Sequence, residues 1–183
     1  MNMKRGVSSI EYLFLIAVAL VIVLFVIHQL VVMTSDYTDV METISTEIAQ
    51  ELANQSCNGT SKIVIYYVHY DAKGNDNYPW NLNDEYIVIA NLGCKDEELS
   101  GWKLVDEKKH TYTFPSGVIV KAGKTVTVHT GSGTDTDTDL YWGSSWGAVW
   151  DNDGDTAYLY DASENLVDSC SWTGKEGGAV SCH

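Results

Sequence analysis

Hydrophobic and polar positions divide the chain into two regimes. Leu13 to Ile27 is fifteen residues without a polar side chain, and after His28 and Gln29 the apolar run resumes at Leu30 to Met33. At about 1.5 Å rise per residue, that stretch makes about 31 Å of helix, one hydrocarbon core. The pattern then turns amphipathic. Tyr37, Val40, Met41, Ile44, Ile48 and Leu52 recur at three- and four-residue steps on an otherwise polar background, the signature of a helix with one packed face. No Gly or Pro interrupts 7–53, so the periodicity predicts one continuous rod of about 70 Å.

Asn54 to Ser61 is polar and rich in turn residues, and beyond it the period becomes short and β-like. Ile63–Val68, Tyr86–Ile89, Trp102–Leu104, Val118–Val120, Thr125–Val128, Ala157–Tyr160 and Asn165–Val167 carry β-branched or aromatic residues, with Gly, Asn, Asp or Pro between most of them. Short strands at this spacing, with no second helix, predict an antiparallel all-β sandwich. The domain reading is therefore a hydrophobic helix at 7–53, a linker at 54–62 and a β-sandwich head at 63–183.

Charge fixes orientation and excludes one class of partner. Lys4 and Arg5 precede the apolar run and no cation follows until Lys62, which places the amino terminus inside and the head outside a membrane. The chain carries a net charge of −14 with only 11 basic residues, which argues against nucleic acid. Cys57, Cys94, Cys170 and Cys182 lack metal-binding spacing and read as two disulfides in an oxidising compartment. Of the three connectivities, the reading adopted pairs Cys94 with Cys170 and Cys57 with Cys182. Asn54 and Asn58 open adjacent N-glycosylation sequons.

Other motifs are weaker. Asp151, Asp153 and Asp155 mimic the start of a calcium loop, but its twelfth position is Ala162 rather than a bidentate acid. Asp135, Asp137 and Asp139 read as a solvated loop. Gly143-Ser144-Ser145-Trp146-Gly147 satisfies G-x-S-x-G, yet an aspartate-rich turn follows where a nucleophile elbow needs a helix. His69, His110 and His129 have no H-E-x-x-H spacing. No acid, base and nucleophile converge, so the expectation is a protein that is not an enzyme, with no cofactor and no metal. The six tryptophans read as packing, except that Tyr141, Trp142 and Trp146, in a Gly/Ser loop, offer rings to a sugar or a surface.

Two stretches carry family resemblances. Lys4-Arg5-Gly6 followed by Val7-Ser8-Ser9-Ile10-Glu11-Tyr12 and the apolar run resembles the precursors of archaeal type IV pilins, a class III signal peptide. Ser9, Glu11 and Tyr12 match that motif, and Val7 stands where the family often has glutamine. The resemblance implies a leader at 1–6 removed by a prepilin peptidase at the Gly6–Val7 bond. It also implies an assembly ATPase, a membrane platform protein, and a homo-polymeric filament built on the helix. In that filament Glu11 would pair with a neighbour's new amino terminus. Further on, "EYIVIANLG" at Glu85–Gly93, "LSGWKL" at Leu99–Leu104 and the blocks at Tyr112–Gly133 and Leu140–Ser169 resemble a lamin-tail domain, with a core at about 83–172. That resemblance implies an immunoglobulin-like sandwich with no catalytic residues. Together they predict a cell-surface pilus subunit, in the cytoplasmic membrane as precursor, whose head serves adhesion to a surface or glycan. The alternative is a non-polymerising membrane-anchored binding protein or a minor tip pilin.

Overall fold

The structure, a computed structural model, describes residues 18, 20–24, 37–50, 59–74, 81–145 and 147–183. The chain divides into two compact units, Met1–Thr46 and Glu47–His183. Residues 18 and 20–24 are helical, and Leu20, Val21, Ile22, Val23 and Leu24 are each 52–66% exposed. Successive helical residues step about 100° around the axis, so five in a row leave no polar face. Residues 37–50 are helical as well, and the hydroxyls of Thr43 and Thr46 donate to the carbonyls of Asp39 and Glu42 at 2.9 Å. Burial there follows the predicted stripe. Tyr37, Val40 and Met41 are half-buried, Ile44 and Ile48 are buried, and the other residues of 37–50 are exposed.

Among the described residues, no helix is long and apolar enough to cross a membrane. The rest of the helix predicted at 7–53 lies outside the described residues, including Ser9, Glu11, Tyr12, His28, Gln29 and Leu52. So do Gly6 and Val7 at the expected cleavage site, together with Asn54, Cys57, Asn58, Trp80 and Trp146.

The second unit is a sandwich. Its strands are β1 (Ile63–His69), β2 (Tyr86–Asn91), β3 (Glu97–Glu98), β4 (Lys103–Val105), β5 (Thr111–Thr113) and β6 (Ile119–Val120). They continue as β7 (Thr125–His129), β8 (Asp139–Tyr141), β9 (Asp155–Tyr160), β10 (Leu166–Trp172) and β11 (Ala179–Ser181), with a short 3-10 helix at Leu82–Asp84. One sheet has the order β11-β1-β2-β7-β8, the other β10-β9-β4-β5, and β3 pairs with β6 alone. The expectation of antiparallel pairing fails at one place, because β7 and β8 run parallel. The link 130–138, extended, spans about 30 Å. That is long enough to carry the chain back along a strand of about 17 Å.

One core joins the sheets. Ile65, Ile87, Ile89, Val126, Val128 and Leu140 pack with Leu104, Tyr112, Ala157, Leu159 and Trp172. The second face of the larger sheet is buried too, at Val64, Val88, Ala90 and Thr127, so β2 is buried along its whole length. At the helical end of this unit Ile48 is fully buried, and Tyr66 Oη donates to Glu47 Oε2 at 3.2 Å. The last described helical turn is therefore built into the sandwich unit.

The disulfides correct the expected pairing. Cys170 bonds to Cys182, with a Cα separation of 5.7 Å, so neither Cys94–Cys170 nor Cys57–Cys182 forms. The physical reason is β11, which the sequence pattern did not reveal. It pairs with β1 through Tyr67 and Ser181 and so carries the tail to the edge strand β10. Cross-linking residues separated by 12 positions contributes about 3 kcal/mol by restricting the unfolded chain. Cys94 is disulfide-bonded as well, and its amide donates to the Thr60 carbonyl at 2.8 Å. Close by, a Cβ on Gly93 would lie 2.3 Å from that same carbonyl oxygen, so only glycine lets the linker lie against this turn.

Two polar side chains tie the frame together. Asp168, at the β10 bulge, accepts the Ile65 amide at 2.8 Å where β1 bulges. Asn91 is fully buried and uses its whole amide. Its Oδ1 accepts the amides of Lys62 at 3.2 Å and Gly93 at 3.0 Å, and its Nδ2 donates to the carbonyls of Lys95 at 2.7 Å and Val120 at 2.9 Å. The linker, the β2–β3 turn and β6 all meet on that side chain.

Candidate functional site

The carboxylates suggested for calcium serve the backbone instead. Asp151 Oδ1 accepts the Asp153 amide at 3.0 Å and its Oδ2 meets Lys108 Nζ at 3.0 Å. Asp155 accepts amides from Thr156 at 2.7 Å, Glu107 at 3.2 Å and Asp151 at 3.2 Å. Those backbone bonds and Lys108 hold the Asp151 carboxyl below its usual range, whereas burial pushes that of Asp155 up. Among the described residues, no group of three His, Cys, Asp or Glu could hold a metal ion.

The G-x-S-x-G stretch is a loop pinned to β7. Trp142 N donates to His129 O at 2.8 Å, Gly143 N to Gly131 O at 2.8 Å, and Ser144 N to Thr130 O at 3.0 Å. Ser145 is exposed on a bend, and residues 147–154 contain no helix, so no elbow forms. The histidines are likewise spent on structure. His129 Nδ1 donates to Asn83 O at 2.7 Å and its Nε2 faces Asp139 Oδ1 at 3.2 Å, while His69 Nδ1 bonds the neighbouring carbonyl of Asp84. His110 Nδ1 meets the buried Asp106 carboxylate at 2.6 Å.

Several of the described aromatic side chains form one connected cluster on the core. Tyr70 stacks on Trp172 at 5.2 Å, Trp172 meets Trp150 at 6.1 Å, Trp150 meets Trp142 at 5.7 Å, and Trp142 meets Tyr112 at 5.6 Å. Trp142 thus packs on the core rather than standing free, and Tyr141 stacks on His129 at 5.1 Å. Those two rings are engaged in ways the sugar-gripping expectation did not foresee.

Tyr112 carries a testable pH effect. Burial, with Asp135 adding to it, pushes its phenol well above the ordinary range. In the unfolded chain a tyrosine ionises near pH 10. The folded state therefore keeps a proton that the unfolded state loses, and stability falls as pH rises past about 10. Tyr112 Oη is also buried with no hydrogen-bond partner among the described residues. Tyr112→Phe is expected to be at least as stable at neutral pH and to unfold at higher pH in an alkaline titration followed by circular dichroism. Earlier alkaline unfolding of the variant would contradict this.

Among the described residues, one cleft carries charged side chains, Lys121, Lys124 and Asp137, that the fold does not engage. It measures about 850 Å³ and lies between the β5–β6 turn (Pro115, Ser116, Gly117, Val118) and the β7–β8 link (Asp135, Thr136, Asp137, Thr138). Lys121, Lys124 and Thr125 line it from the β6–β7 turn, and buried Leu140 forms part of its floor. Both walls are held by internal hydrogen bonds. Thr136 Oγ1 accepts the amides of Thr138 at 3.2 Å and Asp139 at 2.9 Å, and Asp135 Oδ1 accepts the Tyr141 amide at 3.0 Å. Opposite, the Gly117 amide donates to Ser100 Oγ at 2.8 Å and the Leu99 amide to Val118 O at 2.8 Å. Neither lysine ammonium, nor the Asp137 carboxylate, has an ion pair or side-chain hydrogen bond among the described residues.

In a second cleft of about 540 Å³, lined by Lys62, Glu97, Trp102, Asp168 and His183, the acids are engaged, although the Lys62 ammonium has no ion pair among the described residues. Its Glu97 bonds Ser61 Oγ, and its Asp168 is occupied by Ile65 N and by His183 Nε2 at 3.0 Å. Sequence reasoning found neither cleft. Lys121-Ala122-Gly123-Lys124 reads as a turn, and only the parallel β7–β8 pairing brings the acidic link beside it.

No curated protein matches the chain. The family model of the Lamin Tail Domain matches residues 57–174, which takes in every strand from β1 to β10 and extends the resemblance read at 83–172 to the linker. With well over half of its length matched, the chain belongs to the Lamin Tail Domain family.

Proposed function

We propose that the protein is a structural subunit of an archaeal type IV pilus-like extracellular filament, polymerising through its amino-terminal helix and displaying the lamin-tail sandwich for adhesion. The observation that carries this reading is the exposed run Leu20–Leu24, apolar on every side of its helix. Such a surface needs lipid before assembly and other copies of itself afterwards. The amphipathic continuation supports it, because its last described turn is anchored in the head through Ile48 and the Tyr66–Glu47 bond.

The chemistry of assembly follows from the motif at Gly6 to Tyr12. Cleavage of the Gly6–Val7 bond by a prepilin peptidase creates an ammonium on Val7. Glu11 of one subunit pairs with that ammonium on its neighbour, and since an unpaired charge among packed apolar helices is costly, the pair sets the axial register. The assembly ATPase and membrane platform drive the transfer from bilayer to filament. The test is mass spectrometry of the mature amino terminus together with electron microscopy of cells. The expected result is a chain starting at Val7 in filaments, and for Glu11→Ala a processed chain without filaments. An uncut chain left as a single membrane-anchored subunit, or normal filaments from the Glu11 variant, would refute the reading.

A further inference from the structure

We propose that the cleft between the β5–β6 turn and the β7–β8 link is a binding site for an acidic sugar, a glycan containing uronate residues. The inference deepens the adhesive role proposed for the head and rests on the head being displayed outside the cell. Three features of the cleft point to this ligand.

The first is its charge. In a chain of net charge −14, a negative ligand is repelled by most of the surface. Lys121 and Lys124 line this one cleft with ammonium groups that no acid of the described residues neutralises. Lys103 is bonded to Glu164, Lys108 to Asp151, and Lys109 lies over the Tyr158 ring at 5.7 Å. Lys62, Lys95 and Lys175 also lack an ion pair among the described residues, but this cleft sets two such ammonium groups side by side in the chain. The uncommitted pair is suited to a carboxylate.

The second is the opposing wall. Asp137 has its carboxylate free of hydrogen bonds from the described residues, and the Thr125 and Ser116 hydroxyls line the same space. Carboxylates and hydroxyls accept hydrogen bonds from the hydroxyls of a sugar ring. A simple anion such as phosphate would find Asp137 repulsive; a sugar acid uses both walls, its carboxylate on the lysines and its hydroxyls on the acid. The third feature is the apolar surface. Half-buried Val118 and the 51%-exposed Ile119 offer a patch to the C–H face of a pyranose. The volume of about 850 Å³ falls within the range of small-ligand sites, and the hydrogen-bonded walls keep the site formed before binding, which lowers the entropic cost.

The experiment is isothermal titration of the full chain in detergent micelles with digalacturonic acid, and with maltose and citrate as controls. Digalacturonic acid is expected to bind, weakening as salt is raised, with maltose and citrate at least tenfold weaker. Lys121→Gln and Lys124→Gln, both exposed substitutions, should each weaken binding about tenfold, the loss of one charge-assisted hydrogen bond. Asp137→Asn should weaken digalacturonic acid while improving citrate, an outcome that no merely cationic patch would give. Absence of binding, citrate binding as tightly as the sugar acid, or full binding by the Lys121→Gln/Lys124→Gln double variant overturns the assignment, whatever filaments the cells display. If the sugar acid binds with this variant pattern in cells that make no filaments, the filament reading fails and the cleft assignment stands.

Discussion

Asn91→Asp is expected to destabilise the sandwich by about 4 kcal/mol, although it changes a single atom type. The wild-type side chain satisfies two amides and two carbonyls while fully buried, and the arrangement admits only one orientation, since a flipped amide would aim donors at donors. Aspartate can still accept from Lys62 and Gly93. It cannot donate to Lys95 and Val120, and it aims negative charge at their carbonyl oxygens. Each buried polar group left unsatisfied costs about 1–3 kcal/mol, and an unpaired buried carboxylate adds to that. Against a total stability of about 5–15 kcal/mol, the variant should reach its urea midpoint far earlier, read by tryptophan fluorescence. Acidification should narrow the gap, because a protonated carboxyl regains one donor. Coincident unfolding curves for the two proteins would remove Asn91 from the frame.

Trp150→Ala should cost about as much, about 3–5 kcal/mol, by a different mechanism. Trp150 is 1% exposed, and its ring lies edge-on to Trp142 at 5.7 Å and to Trp172 at 6.1 Å. Truncation removes the transfer free energy of an indole and leaves a cavity that rigid aromatic neighbours cannot fill. Trp150→Phe, which keeps part of the ring contact, should lose clearly less. Trp142→Ala should also lose less, because Trp142 is only partly buried against the core. Urea unfolding of the three variants checks the order, and an equal cost at Trp142 and Trp150 would contradict it.

Strands whose own residues are apolar were legible. Ile63–Val68, Tyr86–Ile89 and Ala157–Tyr160 fall within β1, β2 and β9, since buried strands must carry β-branched or aromatic side chains wherever they sit. Strands held by their partners were not. β3 consists of Glu97 and Glu98 and is a strand because it pairs with Val120 and Ile119. β8 begins in the run of aspartates, where Asp139 is tolerated opposite the His129 ring. β11 lies in a glycine-rich tail and takes its conformation from β1. Each of these is a long-range pairing, invisible in local periodicity. The missed β11 led directly to the wrong cysteine pairing, and the missed β8 concealed the cleft. The helical stripe was legible for the opposite reason: its period is local, and Ile44 and Ile48 are the buried pair.

The pairing of β1 with β11 has a kinetic consequence. The first strand of the sandwich receives its outer neighbour from a strand far along the sequence, Tyr67 opposite Ser181. The larger sheet cannot close until the chain has been made at least as far as Ser181. Such distant contacts slow the search for the native state. Until the tail arrives, β1 presents a raw edge to passing chains, and the late Cys170–Cys182 bond turns a reversible closure into a lasting one.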